Sequence, residues 1–322
     1  MLRRIAELAL HRPRALLLLS LIAVVAMGAI GFGAFGKLQG GGFEDPDAPS
    51  SRARTVIEEK FGGEDNLVLL VRAERGDLDS AAAREAGRRL TAGLKKEPRI
   101  SHVSSYWGPG GSALTSEDGT QALVLAHVKG DSSDVADHTK EITDTWSEGQ
   151  GPLEVRAGGG AALNNDISGQ VSADLAVAEA IAVPVTLILL VVAFGSVVAA
   201  LLPLAIGLIA ILGTFAELFV LGSITDVSVF AVNLTTALGL GLGIDYGLLI
   251  VSRFRERLSE GAEVADALRT TVTTAGRTIA FSAATVVAAL AALLLFPPFF
   301  LRSFAYAGIG VVFIAAVAAL LV

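Results

Sequence analysis

The run Thr235–Arg257, TTALGLGLGIDYGLLIVSRFRER, sets one ionisable pair, Asp245–Tyr246, inside an apolar stretch that meets its first cation only at Arg253. Asp245 lies about two-thirds of the way through a stretch long enough to cross a bilayer, some ~9 Å from its inner end at about 1.5 Å per residue. A carboxylate at that depth costs about 2.5–3.5 kcal/mol on insertion scales, so it is expected to be buried and to face a bundle interior or a cavity. Such a carboxyl can hold a proton and release it when water or a partner arrives. Moving one charge through the membrane potential is worth about 2.3 kcal/mol per 100 mV, enough to bias a conformational cycle. Tyr246 can donate a hydrogen bond to a carboxylate. Neighbours on a helix point about 100° apart, however, so Tyr246 is expected to serve a different group from Asp245. The plainer alternative is an acid with only a packing role, and the depth of so short a side chain argues against it.

Gly239, Gly243 and Gly247 recur every fourth residue and share one helix face, a pattern that lets helix backbones approach closely. A nucleotide-binding loop is excluded, because Tyr246 stands where GxGxxG from Gly241 would need glycine. Ser282 and Thr285, in the next apolar block, are candidates to hydrogen-bond the Asp245 site. Glu179 and Glu217 fall near the outer ends of their blocks and read as interfacial acids rather than the lining of an access path. Asn233 and Thr236 receive no assigned role. There is no cysteine, and the four histidines (His11, His102, His127, His138) lack HExxH spacing, so no metal centre is expected. No GxxxxGK[ST] run supplies ATP chemistry. A net charge of −7 gives no basic face for nucleic acid. No catalytic residue or cofactor is expected; the chain does not read as an enzyme.

The elements that position these residues follow from hydropathy. The 322 residues are 52% hydrophobic, with a mean hydropathy of +0.62 concentrated in blocks. Ala15–Phe35 is long enough to span and too long for a cleavable leader. Arg3, Arg4, Arg12 and Arg14 precede it and predict a cytoplasmic N-terminus for residues 1–36. Residues 37–175 change to soluble character. Strands are expected at Leu67–Arg72, Ile100–Tyr106, Ala122–Val128 and Leu153–Ala157, with helices at Ser80–Lys95 and Asp134–Trp146. That βαββαβ order is the ferredoxin-like sandwich of an α/β domain. Residues 176–322 return to the membrane, with spans at Ala176–Phe194, Val197–Leu221, Val227–Val251, Thr278–Phe296 and Phe304–Val322. Between spans four and five, Ser252–Arg277 reads as a cytoplasmic amphipathic helix lying on the bilayer surface or packing under the bundle, with Phe254, Leu258, Val264, Leu268 and Val272 on its apolar side. The fold class is thus a six-span α-helical membrane protein with an extracytoplasmic α/β domain between spans one and two. Ending at Val322 in apolar sequence, the chain reads as part of a longer protein.

The run GLGIDYGLLIVSRFRERL resembles span four of the MMPL branch of the resistance–nodulation–division (RND) transporters. AGRTIAFSAATV (Ala275–Val286), LFPPFFLRSFAYAGIG (Leu295–Gly310) and AGGGAALNNDI (Ala157–Ile167) are similar to the same family. The resemblance implies a porter-type external domain and a proton relay at Asp245 and Tyr246, with Ser282 as a weaker match. It implies proton-driven export of lipids or amphiphiles across the plasma membrane. It also implies two homologous halves whose Asp–Tyr pairs face each other. Only one half is present, so the expected partners are membrane lipids, a hydrophobic substrate, protons, and a second half or a second copy. Tyr246 is expected to need an acid from that other half. A non-pumping lipid sensor and a protein-translocation accessory are the competing readings.

Overall fold

The structure is a computed structural model and describes residues 2–73, 77–130, 132–147 and 151–321. The chain divides into two compact units, Glu44–Asp174 on one hand and Met1–Phe43 with Leu175–Val322 on the other.

In the first of these, β1 (Leu67–Ala73), α4 (Ala81–Lys96), β2 (Ile100–Ser105), β3 (Gln121–Val128), α5 (Ser132–Trp146) and β4 (Leu153–Gly158) follow the expected βαββαβ order. The sheet order is β2-β3-β1-β4, antiparallel throughout, with Leu69 opposite Val124 on one side and Ala157 on the other. Side chains alternate across a strand, so β1 sends Leu67, Leu69, Val71 and Ala73 to the core. The α4 helix answers with Ala83, Ala86, Leu90 and Leu94 at helical spacing, each fully buried Leu contributing about 1.5–3 kcal/mol. The Ser80 hydroxyl caps α4 by accepting from the Ala83 amide at 3.2 Å. Tyr106 and Trp107 pack against this core.

A helix absent from the expectation, α3 (Pro49–Phe61), precedes the sheet in a segment to which no element was assigned. It buries none of its residues, so it leaves no apolar period to detect, and it ends at Gly62 with φ +82°. His127 joins it to β3, its Nε2 2.8 Å from Glu58 Oε1. After β4 the chain turns directly into α6 (Gly159–Phe194). Gly159 permits this with φ +84°, where a side chain would lie 2.6 Å from the Asn66 carbonyl.

Among the described residues, six helices are long and apolar enough to cross a membrane: Pro13–Gly36, Ala176–Phe194, Val197–Gly222, Ala231–Ser259, Val264–Leu295 and Phe299–Leu321. In their unit α7 (Val197–Gly222), α8 (Ala231–Ser259) and α10 (Phe299–Leu321) form the centre. Against α7 packs α2 (Pro13–Phe32), and α9 (Val264–Ala291) packs on α8 and α10. A short amphipathic helix not foreseen from the sequence, α1 (Leu2–His11), lies on α9, where Arg269 donates to Glu7 at 2.7 Å. Gly195, at φ +63°, stops α6, and Ser196 caps the start of α7.

The segment Ser252–Arg277 is not a separate surface helix. Its first part is the last two turns of α8, its last part opens α9, and a short turn joins them. The apolar residues it was expected to share on one face are divided accordingly. Val272 is buried, whereas Leu258 and Val264 lie exposed on different helices. The charged residues mask helix continuity, because they are tolerated where a spanning helix projects past the hydrocarbon.

One end of this unit is tied by the backbone. Residues 39–43 pair with the α7–α8 turn, the Gln39 amide donating to the Val227 carbonyl at 2.8 Å and the Val229 amide to Gln39 at 2.9 Å. The Ser228 amide donates to Ser303 Oγ at the start of α10. Phe43, Phe230, Phe300 and Phe304 pack their rings in tilted and edge-on contacts around the same end.

Candidate functional site

The three glycines of α8 face α7 in antiparallel register. A Cβ on Gly247 would meet Pro203 at 2.6 Å, one on Gly243 would meet the Gly207 backbone at 2.3 Å, and one on Gly239 would meet Ile211 at 2.6 Å. The two helices therefore approach closely along about two turns, and this contact fixes the rotation of α8. The rotation then decides where Asp245 and Tyr246 point.

They point to opposite environments. Tyr246 is 4% exposed and sits in one cluster with Ile206, Ile279, Ala283, Val311 and Val312. Its hydroxyl lies beside Ser282 of α9, buried and without a hydrogen bond of normal geometry. Asp245 is exposed. Within this chain alone, then, the tyrosine is buried and the aspartate is open. Within this chain Tyr246 is covered by helices of its own half. One residue step on an α-helix, about 100°, is enough to separate the two.

The open face that carries Asp245 is unlike an ordinary lipid surface. It runs through Ala237, Gly241, Asp245, Leu248 and Ser252, and a Cβ on Gly241 would meet nothing within 4 Å. Beyond Leu249 a cleft of about 440 Å³ opens between α8 and α9, lined by Leu249, Ser252, Arg253, Glu256, Thr274, Ala275 and Thr278. Polar groups therefore continue from the Asp245 stripe into this cleft. Thr285 is exposed, its hydroxyl donating to the Ser282 carbonyl at 2.7 Å, and it does not join Tyr246.

Both acids read as interfacial from the sequence, Glu179 and Glu217, have one carboxyl oxygen buried without a hydrogen-bond partner. In Glu217 of α7, a half-buried residue, Oε2 is buried against α10 and has no hydrogen-bond partner. A Cβ on Gly310 would lie 1.6 Å from that oxygen. The signal available in the sequence was the coincidence of one acid in a 26-residue apolar helix with a glycine in the last span.

The model of the MMPL family matches residues 42–322. The chain belongs to the MMPL family. A putative membrane protein of Streptomyces coelicolor is 34% identical over 99% of this chain and 45% of its own length. The trehalose monomycolate exporter MmpL3 of Mycobacterium tuberculosis is 31% identical over 92% of this chain and 32% of its own. This MMPL chain thus spans less than half the length of these relatives. The crystal structure of a heavy metal efflux pump superposes with a TM-score of 0.53 at 14% identity, covering 85% of this chain and 37% of the pump, a likeness of fold. The MMPL chain is a multi-pass membrane protein.

Proposed function

We propose that this MMPL chain supplies one half of a proton-driven exporter of lipids or related amphiphiles across the plasma membrane. In this reading the N-terminus is cytoplasmic, and the βαββαβ unit is an extracytoplasmic porter-type domain that meets the substrate. Relatives named as exporters of trehalose monomycolate and of mycolic acid-containing lipids support the substrate class. Asp245 is the proton-carrying group, and Tyr246 with Ser282 forms the polar lining behind it.

The observation that carries the reading is the exposure of Asp245 on a face of small residues, far from either end of α8. Lipid is a poor cover for a carboxylate and a bare glycine backbone, and a second helix with small or polar residues is a good one. A second homologous half, or a second copy of this chain, is the cover proposed. It closes over Asp245 and converts an open groove into a cavity. The cleft between α8 and α9 then supplies water from one side, so that Asp245 can load and unload its proton.

The test is Asp245→Asn in the complete protein, with export of a labelled amphiphile measured in vesicles under an imposed proton gradient. Loss of gradient-dependent export with retained substrate binding is the expected result. Undiminished export that still follows the gradient would reject Asp245 as the coupling group. Binding without export in the unaltered protein would favour a lipid sensor.

A further inference from the structure

Glu217 sits on the face of α7 that α10 covers, one helical turn from the contact of Gly213 with Ile314 and Met27. The adjacent layer on the other side is Leu218, Val227, Ala231 and Ala307, all buried. Its Oε2 occupies the volume that any side chain at position 310 would need. The glycine and the acid therefore fit as a pair, and the pocket is built from apolar groups and backbone.

Nothing charged answers this carboxyl. It is the only ionisable residue of α7, and the described residues include no ion pair or hydrogen bond to its buried oxygen. On α2, nothing between Ala15 and Gly36 ionises, and Lys37 beyond it is exposed. On α8 no residue from Ala231 to Gly239 ionises; the Thr235 hydroxyl is spent on the Ala231 carbonyl and that of Thr214, on α7, on Ala210. On α10 the titratable groups are Tyr306 and Arg302, and Arg302 lies about 12 Å along the axis from Gly310 at 1.5 Å per residue. An ionised carboxylate in an apolar, unpaired setting is strongly disfavoured, and the chemistry that removes the charge without new ligands is the uptake of a proton. A metal or sodium ion would need several oxygens, and the pocket offers one carboxyl.

We propose that Glu217 is a second proton-binding site, lodged inside the half-bundle between α7 and α10 and separate from Asp245. It lies about 7.5 Å from the end of α7 at Gly222, while Asp245 lies about 21 Å along α8 from that helix's start at the same end of the unit. The two acids thus occupy different depths, Glu217 near the end tied by residues 39–43. It exchanges its proton from that end. This site stands or falls independently of the coupling role given to Asp245.

The test is infrared difference spectroscopy on the full chain in lipid bilayers, comparing the unaltered protein with Glu217→Gln. The expected result is a carbonyl band of a protonated acid that shifts in deuterated water, disappears as pH is raised, and is missing in Glu217→Gln. Gly310→Ala, which places a methyl group where the carboxyl sits, is expected to lose the band too, and Asp245→Asn is expected to keep it. Absence of the band across the pH range overturns the proposal, and so does a band that never titrates. To separate a folding defect from loss of the site, thermal unfolding is followed in Glu217→Ala, Gly310→Ala and the double variant. The expected double variant is more stable than Gly310→Ala alone, because the clash is gone. Equal effects of Gly310→Ala with and without the acid would overturn the fitted pair.

Discussion

Two open faces of the membrane unit differ in kind. On α2, Leu17, Leu18, Leu19, Leu21 and Ile22 are each 60–64% exposed, and on α6 Val177, Ile181, Ile188 and Leu189 are 61–62% exposed. On α8 the open residues are Ala237, Gly241, Asp245, Leu248 and Ser252. Bulky aliphatic side chains match acyl chains, so the first face is at rest in a bilayer as it stands. The second would hold an acid and naked backbone against hydrocarbon. Exposure in a membrane protein therefore has two meanings, and residue size and charge distinguish them.

The largest effect that tests this contrast comes from exchanging the two chemistries. Leu21→Asp replaces a favourable residue with one costing about 2.5–3.5 kcal/mol at a helix centre, so membrane insertion of α2 is expected to weaken by about 3 kcal/mol. A glycosylation-mapped insertion assay reads this directly. Asp245→Leu is expected to move insertion of α8 the other way by a similar amount. If Leu21→Asp inserts normally, α2 does not face lipid, and the comparison breaks.

Glycines of α8 give the next effect. At Gly243 a side chain runs into the α7 backbone 2.3 Å away, so Gly243→Leu is expected to lower the stability of this chain by about 1–3 kcal/mol or more. Gly241→Leu meets open space and gains helix propensity, so its expected effect on the chain alone is within about 0.5 kcal/mol of zero, or mildly stabilising. In the complete protein the same Gly241→Leu is expected to prevent closure over Asp245 and abolish export. Equal losses from both variants in the isolated chain would show that the two sides of α8 are not different.

How much of this the sequence disclosed depended on whether a feature is local. The strands and helices of residues 67–158 were legible because each carries its own period, as in Leu67, Leu69 and Val71 opposite the Ala83–Leu94 face. The spans were legible from length alone. The α3 helix was not, because it buries nothing, nor was the continuity of α8 and α9 through Ser252–Arg277, because charge at a helix end looks like a loop. For the site, the identity of Asp245, Tyr246 and Ser282 came from residue type and resemblance, but their directions did not. The direction is set by α7 docking on Gly239, Gly243 and Gly247, a relation between helices that no single segment encodes. Glu217 was passed over for the same reason, since its meaning lies in Gly310 ninety-three residues later.

The smallest effect concerns the border of the α8–α9 face, where α1 covers the first turns of α9. Hydrogen bonds from Arg269 hold the Glu7 carboxyl below its ordinary value of 4.5. A carboxyl depressed in the folded state contributes stability above its unfolded value and loses it as pH falls through the lowered one. The α1–α9 contact is therefore expected to be unchanged between neutral pH and about pH 5, and to loosen only below the ordinary carboxylate range. Hydrogen exchange of the α1 amides in lipid bilayers reads this. Glu7→Gln is expected to give slightly faster exchange at neutral pH and no further change on acidification. Should exchange of α1 instead accelerate between pH 7 and 5, with Glu7→Gln following the same curve, another group tethers the helix. In that case His11, 3.6 Å from Glu7, is the side chain to replace next.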